Sequence, residues 1–277
     1  MFLYFHPIQD ISQCQSPPQF EILAANLDSK NIRRRGYDTT ITSEALAMIE
    51  NDEVLKNAKS TVLYKHDWHK GVIGIVASRC IDKFYRPTII LTESNGKATG
   101  SARSVDGFNI YEAIAECSDL LEQYGGHRYA AGLTLDLKNL EAFMEKFNKI
   151  VEDRIKDEQL IPLIEIDSDI DLEEIDFDFY ELLKKMEPFG PGNMQPAFVT
   201  HQLRVSGRPR ILKEEHLKFF VKQEGSDKSK EAIGFGLAQY YDLIASGMHF
   251  SMAYYIEENN YMGNISLQLR VKDIKFD

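Results

Sequence analysis

The hydrophobic pattern of this chain changes period once, and that change limits the fold more than any other feature. Between residues 60 and 155, short β-branched runs alternate with stretches that are apolar at helical spacing. STVLYKH (60–66) reads as a strand and GVIGIVASRCIDKFY (71–85) as a buried helix. RPTIILTES (86–94) and KATGSARSV (97–105) read as strands, and NIYEAIAECSDLLEQY (109–124) as an amphipathic helix. LTLDL (133–137) is a short strand and NLEAFMEKFNKIVEDRI (139–155) a closing helix. This order predicts an α/β domain. After the Pro- and Gly-rich PFGPGNMQP (188–196) the period drops to two. AFVTHQLRVSG, HLKFFVKQ, KEAIGFG, HFSMAYYIEE and ISLQLRVKDIKF are strand candidates, interrupted by one short helix, AQYYDLIASG. Five strands with one helix predict a small closed β-barrel of the OB type.

The remaining segments are connectors. FEILAANLDSKNIRRR (20–35) and SEALAMIENDEVL (43–55) are two helical runs with little core of their own. IEIDSDIDLEEIDFDF (164–179) predicts a strand, with a short helix at FYELLKKM (179–186). From Glu152 to Glu181 there are thirteen acidic residues against Arg154 and Lys156. Acid-rich metal loops need a glycine at their sharp turn, and none is present, so this run reads as a solvated face.

The net charge of −11 argues against a simple basic nucleic-acid binder. From Met186 onward, however, eleven cations balance eleven anions, which leaves room for a local basic groove. Arg204, Arg208, Arg210, Lys213, Lys218 and Lys222 cluster there, near Phe219 and Phe220. Cations interleaved with aromatic rings suit single-strand binding, although most barrel aromatics belong to the core. Cys14, Cys80 and Cys117 form no CxxC pair, which argues against a disulfide scaffold or zinc ribbon and fits a reducing cytoplasm. No apolar run approaches the ~20 residues of a membrane helix.

YGGHRYAAG (124–132) supports two readings. Gly125 and Gly126 could shape a backbone cradle beside one polar reader, His127, or they could form a tight turn with a surface histidine. In GSARS (100–104), strand alternation puts Ser101 and Arg103 on one face, as a phosphate contact with Ser104 or as a plain surface edge. His69 and Lys70 precede a helix start at Gly71, where anions are favoured. Trp68 reads as core, and the spacing of Gly71 and Gly74 is too common to mark a nucleotide loop.

Four of these motifs, in this order, resemble the C-terminal part of the RecJ single-strand-specific exonucleases of the DHH phosphodiesterase superfamily. YGGHRYAAG resembles the GGH motif of their DHHA1 domain. DWHKGVIGIVASR (67–79) with RPTIIL resembles its first strand–helix–strand unit, and GSARS its Gly-Ser-x-Arg-Ser strand. EPFGPGNMQPAF (187–198) with HLKF (216–219) resembles the opening of their OB domain. The resemblance implies a helical connector over 1–56, a DHHA1 domain with a mixed sheet over 57–156, and an OB-fold-like domain with an acidic lead-in over 157–277. Residues 1–19 match nothing.

It also implies a 5′→3′ exonuclease acting on DNA in repair and recombination. Single-stranded DNA is the implied partner, with a single-strand-binding protein or other repair proteins as further candidates. The family's Mn²⁺ or Mg²⁺ ions are held by an Asp-His-His-containing domain. This sequence has no Asp-His-His, and its nearest string, HDWH (66–69), falls inside the DHHA1 match. The expectation is therefore a DNA-gripping portion that binds no metal and is inactive alone. Within the site, Gly125 and Gly126 would form an anion nest. His127 would be the catalytic-site residue, positioning phosphate, with proton transfer as the alternative. Ser101, Arg103, Ser104, His69, Lys70, Arg210 and Lys218 would contact the strand. The alternatives are a non-catalytic single-strand or protein-binding module, and an oligonucleotide or cyclic-dinucleotide phosphodiesterase of the same superfamily.

Overall fold

The computed structural model describes residues 17–190 and 192–276; Cys14 and most of the unmatched start lie outside them. Two compact units divide between Pro162 and Leu163. No helix of the described residues is long and apolar enough to cross a membrane.

The first unit is built on a five-stranded mixed sheet of order β1-β2-β3-β5-β4. Its strands are β1 (Thr61–Tyr64), β2 (Thr88–Ser94), β3 (Lys97–Arg103), β4 (Gln123–His127) and β5 (Ala130–Asp136). β1 and β2 are parallel, joined by a crossover through α3 (Ile73–Lys83). All other neighbours are antiparallel.

The two faces of this sheet are covered unequally. Ile89, Leu91, Ala98, Ala102, Leu133 and Leu135 point to a core shared with α4 (Ile110–Ala115) and α5 (Leu140–Arg154). On the opposite face, Leu63 and Ile90 pack with Val76, Ala77 and Cys80 of α3 and with α1 (Pro17–Glu50). That second layer reaches β3 and stops. Over β5 and β4 the face is open.

Two elements differ from the sequence expectation. The connector is one 34-residue helix, α1, followed after Asp52 by α2 (Glu53–Asn57). Ile41, Ala45 and Ile49 recur every four residues and bury one stripe of α1 against α3. Asp38, 4% exposed, fixes its rotation by taking two bonds from Arg79, each 2.9 Å long. The helix expected to reach Tyr124 ends at Ala115 instead. A 3₁₀ turn (Ser118–Leu120) follows, and the chain then enters β4, because pairing along β5 outweighs the helical preference of the Leu-Leu-Glu-Gln run.

The second unit is an OB-type barrel. Its strands are β7 (Phe198–Leu212), β8 (His216–Gln223), β9 (Ser229–Gly234), β10 (Phe250–Tyr261) and β11 (Asn264–Phe276). They pair in the order β10-β11-β9-β8-β7, and a β10–β7 pairing closes the ring. α7 (Tyr241–Ala245) lies between β9 and β10. The lead-in supplies only a two-residue strand, β6 (Ser168–Asp169), and α6 (Phe177–Lys184). Inside, Phe219, Phe250, Met252, Tyr254 and Leu269 are fully or almost fully buried.

Tyr254 carries a hydroxyl deep in this core. It shares a 2.6 Å hydrogen bond with Thr200, whose hydroxyl donates to the Ile170 carbonyl. Burial pushes the Tyr254 phenol up to about 12. A raised phenol pKa stabilises the fold fully below about pH 10, and that share is lost as pH climbs through 12, worth about 2–3 kcal/mol. In a spectrophotometric titration of the intact protein, one tyrosine should ionise late. Tyr254→Phe should abolish that late step, flatten the alkaline loss of stability, and cost about 1 kcal/mol at neutral pH.

Candidate nucleic-acid interface

The open half of the first sheet gathers several of the residues singled out from sequence. Register puts Arg103 opposite Ala130, and Ala130 opposite His127. The next row on the same face runs Ser101, Gly132, Gly125. Cross-strand partners share a face, so Ser101 and Arg103 stand on one margin and His127 on the other, with a floor of Ala130, Gly132 and Gly125 between. Two strand spacings, about 9.6 Å, separate the Arg103 and His127 backbones. Space over the floor is free: a Cβ added at Gly125 would meet nothing within 4 Å, and one at Gly132 only a carbonyl at 3.9 Å.

Arg103 is the group that gives this surface its charge. It is half-buried against α3, and desolvation lowers its pKa. Its Nη1 donates to Ser101 Oγ at 3.1 Å and to the Ala102 carbonyl at 2.8 Å. Among the described residues its Nε and Nη2 have no acceptor and it has no carboxylate partner. Arg86 is a useful contrast. Also buried, it donates to the Leu55, Lys56 and Ala58 carbonyls and to Thr61 Oγ1, closing the end of α2. Arg86 is consumed by structure, whereas Arg103 keeps Nε and Nη2 without an acceptor among the described residues.

A glycine makes the Arg103 arrangement possible. A Cβ at Gly74, in the first turn of α3, would stand 2.9 Å from both Arg103 Nη2 and Ser101 Oγ. The N-terminus of α3 therefore rests directly on the arginine, and no side chain caps it. The helix dipole adds partial positive charge there, although the Val72 and Ile75 amides are already taken by the His69 and Val72 carbonyls. His69 and Lys70 lie in the loop leading into it, both exposed, with Lys70 Nζ 3.5 Å from Ser94 Oγ.

Both histidines are set up in the same way. His127 Nδ1 accepts the Tyr129 amide at 3.3 Å, and His69 Nδ1 accepts the Gly71 amide at 3.1 Å. A ring nitrogen that accepts cannot carry the proton, so each neutral ring holds its hydrogen on Nε2, ready to donate outward.

The glycines of YGGHRYAAG play other parts than a nest. Gly125 and Gly126 are strand residues, and the turn falls at Arg128–Tyr129. Gly126 has φ +150°, and a Cβ there would lie 2.3 Å from the Ala130 carbonyl oxygen. Its lack of a side chain lets the hairpin close, while that of Gly125 keeps the floor open. Ser104 is turned to structure: its hydroxyl donates to the Phe108 carbonyl at 2.8 Å.

In the second unit, Arg210 faces Lys218 directly across β7 and β8, and Arg204 faces Lys222. Exposed Phe220 lies between these pairs, opposite Ser206. Like charges set directly opposite each other oppose folding. Glu231 relieves Lys218 at 2.8 Å, but Arg204, Arg210 and Lys222 have no carboxylate among the described residues. The result is a cation–aromatic–cation stripe. An open hollow of about 490 Å³, lined in part by Phe177, Phe220 and Ile265, adjoins it.

A DHHA1 domain model matches residues 57–153, and a RecJ OB domain model matches residues 166–273. The chain belongs to the RecJ family. The single-stranded-DNA-specific exonuclease RecJ of Bacillus subtilis is 32% identical over 256 residues, covering 91% of this chain and 32% of that protein. Its Haemophilus influenzae counterpart is 31% identical over 262 residues, covering 91% and 45%. RecJ of Thermus thermophilus, solved with Mn²⁺, shares the fold at a TM-score of 0.75 and 24% identity, over 95% of this chain and 37% of that one. The chain thus spans a third to just under half of the length of these relatives.

From sequence, Gly74 stood only as half of a common glycine spacing. Gly74 did carry a signal, since a glycine inside a helix costs about 1 kcal/mol unless close contact requires it. The two hairpin glycines should separate experimentally. Gly126→Ala should destabilise the first unit by about 1–3 kcal/mol in denaturant unfolding. Gly125→Ala should leave stability within about 0.5 kcal/mol of the parent.

Proposed function

We propose that this chain grips single-stranded DNA by its phosphates for a 5′→3′ exonuclease of the RecJ family. The observation that carries this reading is Arg103, a half-buried guanidinium with two donor nitrogens unused and no carboxylate partner among the described residues, beside a helix N-terminus without a side-chain cap and an open small-residue floor. A phosphate fits that vacancy by taking two parallel N–H bonds from arginine. Ser101, His127 and the His69–Lys70 loop add donors around it. In this reading His127 orients phosphate through Nε2–H, and the open floor at Gly125 and Gly132 lets the strand lie close to the sheet.

The barrel guides the strand. Bases stack on Phe220 while Arg204, Arg210, Lys218 and Lys222 follow the phosphates. The metal ions of the reaction, Mn²⁺ or Mg²⁺ as found in the T. thermophilus structures, would be held by other residues. Among the described residues, no three His, Cys, Asp or Glu side chains converge on a possible ion. In this reading the chain alone is a binding device without hydrolysis, working in the cytoplasm on DNA intermediates of repair and recombination.

Two measurements test this. Arg103→Lys keeps the charge but loses the fork, so affinity for a 5′-phosphorylated dT oligonucleotide should fall about tenfold, with unchanged melting. Equal affinity in the variant and the parent would make Arg103 structural only. Separately, Arg204→Glu with Arg210→Glu should flatten the log–log salt dependence of binding by about 1.4, two contacts at about 0.7 each. An unchanged slope would remove the barrel stripe from the DNA path.

A further inference from the structure

The loop that carries His69 and Lys70 is held from two sides. From within the sheet, buried Thr92 donates its hydroxyl to the Trp68 carbonyl at 2.6 Å. From α1, Glu44 accepts Lys65 Nζ at 2.7 Å and Trp68 Nε1 at 2.8 Å. These bonds, Lys65 first, keep the Glu44 carboxyl below its ordinary pKa. Two turns earlier on α1, the Tyr37 ring lies flat on the His69 imidazole, with centroids 4.8 Å apart and planes 15° apart. The neighbouring Asp38–Arg79 pair sets the rotation of α1 at that point, so the Tyr37 ring is presented at a fixed angle.

An exposed histidine on a loop ordinarily samples several rotamers and both neutral tautomers. Among the described residues the His69 imidazole has one hydrogen bond, from the Gly71 amide to Nδ1, and that bond requires the ring to keep its plane. The stacked Tyr37 ring covers one face of the imidazole in that plane. The hydroxyl of Tyr37 makes no hydrogen bond among the described residues, so its contribution is the flat ring itself.

We propose that Tyr37 is a positioning residue for the phosphate site: its stacked ring holds the His69 imidazole with Nδ1 on the Gly71 amide and so keeps Nε2–H available to an anion at the start of α3. The inference rests on the phosphate reading of that site. It makes α1 part of the site, because a shift of this helix against α3 would release a donor that faces the ligand.

The test uses the full chain with Tyr37→Phe and Tyr37→Leu, and a 5′-phosphorylated dT oligonucleotide as probe. Two-bond ¹H–¹⁵N spectra of the imidazoles report tautomers directly. His69 should show a single Nε2–H pattern in the parent and in Tyr37→Phe, and an averaged pattern in Tyr37→Leu. His127, which makes the same kind of bond to Tyr129 without touching Tyr37, is the internal control and should not change. Binding should be unaltered in Tyr37→Phe and about three- to tenfold weaker in Tyr37→Leu, the range for losing one aromatic pair. An unchanged His69 spectrum in Tyr37→Leu would overturn the inference, as would loss of affinity in Tyr37→Phe. If the parent chain itself fails to bind the oligonucleotide, the phosphate reading falls, and the spectra still decide whether Tyr37 sets the tautomer.

Discussion

Everything at the candidate interface depends on how closely α3 approaches β3. At Gly74 the helix has no side chain, and it rests on Arg103 and Ser101. That contact half-buries a guanidinium without supplying a carboxylate, which is costly for a charged group. Arg86 shows the structural alternative, since its donors are taken up by carbonyls and a hydroxyl. Arg103 is left with spare donors beside the positive end of a helix. A site built in this way stores electrostatic free energy that an incoming anion releases.

The two units deal with charge in different ways. In the first, a half-buried arginine and His127 stand on either side of a floor of small residues, an arrangement suited to a single phosphate held in a defined place. In the barrel, exposed Arg204 and Arg210 face half-buried Lys222 and Lys218 across β7 and β8, with exposed Phe220 between the pairs. That stripe is extended, so it suits a strand passing over it with little demand for register. The overall charge of −11 hides both features, because net charge averages over surfaces that do different work.

Much of this was legible in the sequence. The switch of hydrophobic period after residue 196 set the barrel strands apart from the α/β sheet, although the second compact unit begins earlier, at Leu163, and the five barrel strands fell where alternation put them. Strand alternation also placed Ser101 and Arg103 on one face. What stayed hidden depended on tertiary contact. β4 reads as the end of a helix followed by a turn, because Gly125 and Gly126 carry no strand preference and only pairing with β5 makes them extended. Gly74 and Arg103 lie 29 residues apart, and nothing local tells that they touch. Ser104 looked equivalent to Ser101, yet its hydroxyl is spent on the Phe108 carbonyl. The stacking of Tyr37 on His69 could not be read at all, since it depends on the rotation that Asp38 and Arg79 give to α1.

The central claim is that a phosphate occupies the free side of Arg103. The most direct measurement follows the Arg103 Nε–H resonance and the Gly125 and Gly132 amides while the ¹⁵N-labelled chain is titrated with the same dT oligonucleotide bearing either a 5′-phosphate or a 5′-hydroxyl. The account predicts large, saturable shifts of all three signals with the phosphorylated strand and smaller ones with the hydroxyl form. Shifts confined to the barrel, with Arg103 silent toward both strands, would contradict it.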